Sequence, residues 1–298
     1  MNLKNAFALF SPFGGLRKQQ RAIALANDRL DGGGVPEVES VLSATSVSDK
    51  ISYKQVVELA NKDPDFFEVF RAHPDWTEIL DHVSKQQGRE YLDILVDRHD
   101  ISIDQVRGLK KQFHFGSPKT ERFGRYGSVS PTLFRYLKVA SDLRILFPDL
   151  ANPSIAEVGI GWGGQALVLS RLMEIKEFLF FDLPEVNMLA EKILRTKAPS
   201  LRANYFGAGE NPPQTSPDLF ISNYAFSELN RKSQDLYLSK IIQRSARGYV
   251  TWNEMSPDGY SLGELLQMIP GASAIEERPL TSERNSIIVW GHNPVSLY

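Results

Sequence analysis

Ile155-Ala156-Glu157-Val158-Gly159-Ile160-Gly161-Trp162-Gly163-Gly164-Gln165 is the stretch on which the fold turns. A short apolar run of strand character ends in a turn with four glycines in six residues, and helical text opens directly after it. Glycine allows a tight turn and lets backbone approach a ligand with no Cβ in the way. Gly159, Gly161 and Gly164 satisfy G-x-G-x-x-G, and a strand before and a helix after are the context that pattern requires. Asp182 follows the next strand-like run, at roughly the 20-residue offset where a ribose-binding acid belongs. A ligand-free β–α turn needs neither so many glycines nor a placed acid. The turn therefore reads as a cofactor cradle.

Working outward, strand-like runs at 155–158, 177–181, 202–206, 218–223, 248–253, 272–276 and 286–290 alternate with helical text at 165–172, 186–198, 231–245 and 262–269. Such alternation implies a parallel sheet with right-handed crossovers. The last two runs have too little chain between them for a helix, so they are expected to pair antiparallel. The expected fold is α/β: a Rossmann-like, seven-stranded, mostly parallel sheet with a terminal antiparallel hairpin and a helical region before it. Ligands of such sheets sit at the carboxyl ends of the strands.

Residues 1–112 read as a helical accessory or lid region, and 113–298 as the cofactor-binding domain. Ser52 with Gln55, and Asp75 with Glu78, have capping-box spacing; Trp76, Ile79, Leu80 and Val83 then follow at helical intervals. Pro64 and Pro74 separate the helices. Residues 113–129 mix aromatics, cations and three glycines without a period and read as a loop, after which Ser130-Pro131 opens a helix that should run to Pro148.

Composition narrows the chemistry. The chain has 298 residues, 34 Lys plus Arg against 36 Asp plus Glu, and no cysteine. Near-neutral charge argues against nucleic-acid binding through bulk charge. The absence of cysteine excludes disulfides, thiolate metal sites and a cysteine nucleophile. No apolar run reaches the ~20 residues of a membrane span, and the apolar patch at 6–10, like the glycine run at 32–34, is too short to mark a leader or low-complexity tract. A cytoplasmic protein without membrane partners is expected. The five histidines, at 73, 82, 99, 114 and 292, form no close-spaced pair, so no histidine metal site is expected, while an oxygen-ligated magnesium, which leaves little spacing signature, stays open.

Geometry alone leaves the ligand open, because a helix N-terminus also welcomes a pyrophosphate. Glu157 tilts the balance. A carboxylate at that strand end is awkward beside a diphosphate but suits a ligand with an ammonium and a sulfonium, as in S-adenosylmethionine. Glu157-x-Gly159-x-Gly161 resembles the first motif of class I S-adenosylmethionine-dependent methyltransferases, and residues 181–186 (Phe-Asp-Leu-Pro-Glu-Val) resemble the Asp-Leu-Pro segment of small-molecule O-methyltransferases. With Ser130-Pro131-Thr132-Leu133-Phe134-Arg135-Tyr136, the 222–229 segment and the close from Asn285 to Gly291, the ensemble is similar to the sugar O-methyltransferase family over roughly residues 113–298.

The resemblance implies that Glu157 contacts the cofactor's amino group, that Gly159, Gly161 and Gly163 line its methionine part, and that Asp182 accepts from the ribose hydroxyls with Leu183 against adenine. Ser222 and Asn223 would lie near the transferred methyl. A sugar hydroxyl is a poor acid, so a group should take its proton. Glu228 is the first candidate and His114, in the aromatic loop, the second. Plant-type O-methyltransferases carry a histidine near the Glu228 position, and this chain does not. Arg122, Arg125, Tyr126, Tyr224, Trp252 and Glu254 are candidate contacts for a small-molecule acceptor, whether sugar, nucleotide sugar or glycosylated metabolite. A homodimer through the N-terminal helices is a further expectation. Two other readings compete. A nicotinamide-dependent oxidoreductase lacks support from any Tyr-x-x-x-Lys pair after the fourth run, and a non-catalytic methyltransferase-fold partner does not explain the intact turn and Asp182.

Overall fold

The structure, a computed structural model, describes residues 13–30, 51–208, 213–292 and 297–298. The patch at 6–10 and the glycine run at 32–34 lie outside the described residues. Helices α1 (Phe13–Leu30), α2 (Ile51–Lys62), α3 (Pro64–Phe67), α4 (Pro74–Ile79), α5 (Lys85–Asp97) and α6 (Ile103–Phe113) form the N-terminal region. Pro64 and Pro74 each occupy a first helical position, where a missing N–H costs nothing. That placement corrects two capping assignments. Because Pro74 starts α4 behind an N-cap at His73, Asp75 is already inside the helix, and Leu80 and Val83 fall past its end at Ile79. Ser52 is likewise inside α2, which already includes Ile51. Reciprocal capping boxes form instead at Ser84 with Gln87 and Ser102 with Gln105.

The 113–129 segment contains a small antiparallel ribbon, β1 (Glu121–Arg122) and β2 (Ser128–Val129), around a short 3-10 turn at Gly124–Tyr126. Then α7 (Pro131–Leu146) begins with Pro131 in its first turn, behind Ser130.

The α/β part follows as β3 (Ser154–Val158), α8 (Gly164–Leu172), β4 (Glu177–Asp182), α9 (Pro184–Lys197), β5 (Ala203–Gly207), β6 (Leu219–Asn223), α10 (Arg231–Lys240), β7 (Arg247–Trp252), α11 (Leu262–Met268), β8 (Ser273–Glu276) and β9 (Ser286–Trp290). The sheet order is β5-β4-β3-β6-β7-β9-β8. β3 to β7 pair in parallel, and β9 runs antiparallel to both β7 and β8. The expected terminal hairpin is therefore present, with its second strand inserted between the first and the rest of the sheet. The chain enters at the central strand β3, winds out to β5 and returns to β6 on the other side. The crevice above β3 and β6 is thus the topological switch point, where open α/β sheets bind ligands.

Period-two alternation sorts side chains to two buried faces. Ile155, Leu219, Ile221, Tyr249, Ile287 and Val289 join the cluster that includes α7, α8, α9 and the N-terminal helices. Ala156, Val158, Phe220, Val250, Ile288 and Trp290 join the cluster with α10 and α11. Residues from both sides of position 112, Ala22 to Leu297, share the first cluster, so the N-terminal helices pack as part of one core. No helix among the described residues is long and apolar enough to cross a membrane.

Candidate functional site

The glycine turn joins β3 to α8 and depends on its glycines for backbone reasons. Gly159 has φ +83°, and a Cβ there would lie 2.1 Å from the Cβ of Ala225. Gly163, in the left-handed region at φ +86°, serves as the N-cap of α8. Asp182, at the end of β4, fastens the turn from outside: its carboxylate accepts from Gly161 N at 3.0 Å and from Leu183 N at 2.8 Å. Asn187 holds the strand ends level by donating to the carbonyls of Asp182 and Phe206. Ser222 Oγ, buried at the end of β6, donates to Val158 O at 2.9 Å and accepts from Phe226 N at 3.0 Å, so β3 and β6 are tied where the turn begins.

Two carboxyl groups sit at this crevice in unusual states. Glu157 shares the sheet face of Ile155, is 2 % exposed, and its Oε2 has no hydrogen-bond partner. Burial, and then the charge of Asp182, push its carboxyl up to about 8. Burial raises Asp182 to about 6 against the opposing effect of its backbone donors. A buried acid with a vacant oxygen is costly unless a cation or donor meets it.

That cost gives a test of sign. Because the folded state raises Glu157 above its ordinary value of 4.5, its neutral form favours folding fully below about pH 4.5, and that contribution is lost as pH climbs through about 8. Glu157→Gln cannot ionise. Without ligand, the variant is expected to melt several degrees above the parent at pH 8, on the order of 3 kcal/mol, with little difference at pH 5. Calorimetric melts at the two pH values check this. Equal melting points at pH 8 would show that Glu157 is not the strained acid described.

Around the turn the N-terminal helices close in. The Leu80 side chain lies 3.1 Å from where a Gly161 Cβ would stand. Trp162 is buried in edge contacts with Phe113, Phe115 and Tyr136, and the Arg71 guanidinium lies 4.7 Å from its ring centre. Tyr53, buried on α2, feels the charges of Asp182 and Glu185, which add to the burial that raises its phenol. Asn61 reaches the Glu185 carbonyl at 2.9 Å, and Lys192 reaches the Ala60 carbonyl at 3.1 Å, closing α2 onto α9.

Glu157, Gly159, Gly161, Gly163, Asp182, Leu183, Ser222 and Asn223 thus all stand along the carboxyl edge of β3, β4 and β6. Glu228 closes the 3-10 turn after β6, half-buried, with Asn253 Nδ2 at 3.4 Å from its Oε1. Ser227 Oγ contacts Asn253 Oδ1 at 2.6 Å, so the β6 and β7 ends are bound together there. The other candidates stand apart. His114 is an exposed C-cap of α6 near Lys18 and Lys110. Arg125 is exposed against Tyr126, which is buried beside Phe134. Trp252 is 1 % exposed and packs toward Phe226 as a core residue, because position 252 falls on the same face as Val250. Glu254 is exposed and pairs with Arg284 at 3.3 Å.

Tyr224 turns inward at φ +69°, its hydroxyl bonded to Glu277 and close to Thr281 Oγ1 at 3.2 Å. Sequence reasoning missed the polar group it joins: Tyr91, Arg135, Lys138 and Glu277. Arg135, Lys138 and Asp142 lie on one face of α7, at i, i+3 and i+7. In the structure α7 is covered on both sides by α5 and α8, so all three are buried. The readable signal was the near absence of a polar surface on α7 outside those charges.

No family model matches the chain, and no curated protein matches it. Among solved structures it resembles a proposed sarcosine dimethylglycine methyltransferase from Galdieria sulphuraria, with a TM-score of 0.40 and 17% identity over 49% of this chain and 62% of the other. It also resembles the pyocyanin biosynthetic protein PhzM (TM-score 0.39, 16% identity, 55% of this chain and 58% of the other). A third is a TehB-like SAM-dependent methyltransferase from Corynebacterium glutamicum (TM-score 0.38, 17% identity, 54% and 98%). The match spans about six-tenths of the length of the first two.

Proposed function

We propose that this chain is an S-adenosylmethionine-dependent methyltransferase that methylates a hydroxyl of a sugar or glycosylated small molecule. The observation that carries the reading is the buried Glu157 carboxyl with its vacant Oε2, placed beneath a glycine turn that Asp182 braces from outside. A nicotinamide dinucleotide would bring a diphosphate to the same turn, where Glu157 is the wrong charge. A cation repays the burial of Glu157, and ribose hydroxyls can donate to Asp182.

When bound, such a cofactor supplies an electrophilic methyl group. The chain's own residues do the rest. Glu157 ionises against the ligand's ammonium, Asp182 fixes the ribose while holding Gly161, and the Leu80 side chain moves off the turn to admit the ligand. Ser222 and Asn223 set the floor at the β6 end. The Glu228 carboxylate takes the proton of the attacking hydroxyl, and Asn253 steadies that carboxylate.

Glu228→Gln is expected to leave cofactor affinity unchanged and to lower turnover by roughly a hundredfold or more, the range of a lost general base. Incubating the chain with S-adenosylmethionine and a panel of sugars, nucleotide sugars and glycosylated metabolites, scored by mass for added methyl groups, tests the reading. Unaltered turnover in Glu228→Gln would reject Glu228 as the base.

A further inference from the structure

Beside the end of β6 lies a narrow polar cavity of about 10 Å³, walled by Tyr91, Arg135, Lys138, Asn223, Tyr224 and Glu277 among others. Arg135 is its unusual member. The residue is 7 % exposed, yet its Nε has no hydrogen-bond partner, and the groups its other nitrogens meet are uncharged. Nη2 donates to the Leu80 carbonyl at 3.3 Å, and Nη1 stands 3.2 Å from His82 Nε2. His82 keeps an exposed face, but partial desolvation and the nearby guanidinium both lower it, so this imidazole is neutral at pH 7.

The carboxylates nearby are already engaged. Asp81 receives Arg71 through two bonds and Trp76 through a third. Glu277 receives the Tyr224 hydroxyl together with the backbone and hydroxyl of Thr281. Of the other two cations in the wall, Lys138 is paired with Asp142 at 2.6 Å and Arg278 with Glu276 at 2.8 Å. Asp81 feels the Arg135 charge but does not contact it; a buried guanidinium that no carboxylate touches is unfavourable, and its planar fork matches a carboxylate or phosphate.

Arg135 also stands in the right place. The residue whose carbonyl it holds, Leu80, has its side chain against Gly161 of the cofactor turn. On the other side, the Arg135 guanidinium lies 5.9 Å from the ring centre of Tyr224, directly after Asn223. The guanidinium therefore lies between the cofactor turn and the strand end that receives the acceptor. We propose that Arg135 is the specificity-determining residue for an acidic acceptor, docking a carboxylate or phosphate group of the molecule to be methylated. This rests on the methyltransferase reading above. The cavity has room for about one water, so docking draws the Leu80–His82 segment back, the same movement that uncovers Gly161. Cofactor and acceptor binding should therefore favour one another.

The test is calorimetric titration of the full chain, saturated with S-adenosylhomocysteine, with glucuronate, glucose 6-phosphate and glucose. One or both acids should bind roughly tenfold or more tightly than glucose, and the acid that does so identifies the carboxylate or the phosphate. Arg135→Gln should bring that acid down to the level of glucose while the variant still binds S-adenosylhomocysteine, which reports that it is folded. Arg135→Lys should fall between. Equal binding of all three probes, no binding of any at millimolar concentration, or an acid preference that survives Arg135→Gln would overturn the proposal. A chain that binds no S-adenosylhomocysteine would overturn the cofactor reading instead.

Discussion

Arg71→Met is expected to lower the melting point by about 6–10 °C, a larger loss than surface charges give. Arg71 is fully buried and donates to both oxygens of Asp81, at 2.8 and 3.0 Å, and to the Phe113 carbonyl at 2.8 Å. Its guanidinium lies over Trp162 and Phe115, and Trp76 donates to the same Asp81. The cluster thus joins α4, the end of α6 and the glycine turn. Removing one member of a buried pair strands the other, which costs about 3–5 kcal/mol, and at this chain length each kcal/mol shifts the midpoint by roughly 2 °C. Arg71→Met with Asp81→Leu removes both charges and should recover much of the loss. A double variant as unstable as the single one would place the cost in lost packing on Trp162 rather than in the stranded carboxylate. Scanning calorimetry of the three proteins decides.

Asp182→Ala should weaken cofactor binding by roughly a hundred- to ten thousand-fold, since two ribose hydroxyls would each lose a charged acceptor worth about 1.5–3 kcal/mol. The variant also frees Gly161 N and Leu183 N from the carboxylate that holds them, so the turn loosens as well. Asp182→Asn keeps one acceptor oxygen and should retain part of the affinity. A cofactor affinity unaltered by Asp182→Ala would remove the acid from the site.

The sheet was legible because its physics is local. Seven apolar runs of strand length, spaced by helical text, mark seven strands to within a residue or two, and the short 277–285 connection already requires the antiparallel close. The glycine turn and Asp182 were legible for the same reason, since positive φ and a placed acid leave direct marks. What escaped depends on distant packing. Pro74 shifts the α4 cap to His73, although the Asp75–Glu78 spacing looks sound on its own. The burial of Arg135, Lys138 and Asp142 depends on α5 being laid across α7, which no local pattern announces. Trp252 has the outline of a sugar-stacking residue until its strand face is known. Tyr224 departs from strand geometry altogether, at φ +69°, and so reaches Glu277 instead of the open crevice.

The central claim is that a buried carboxyl and a braced glycine turn exist to hold a sulfonium cofactor, and a titration tests it most directly. Parent and Glu157→Gln chains are titrated calorimetrically with S-adenosylmethionine and with NAD at pH 6.5 and pH 8.5. The account predicts binding of S-adenosylmethionine but not NAD, tighter at the higher pH because Glu157 must ionise to meet the ammonium, and weaker with a flattened pH response in Glu157→Gln. Preferential binding of NAD, or an affinity for S-adenosylmethionine indifferent to both pH and Glu157→Gln, would contradict it.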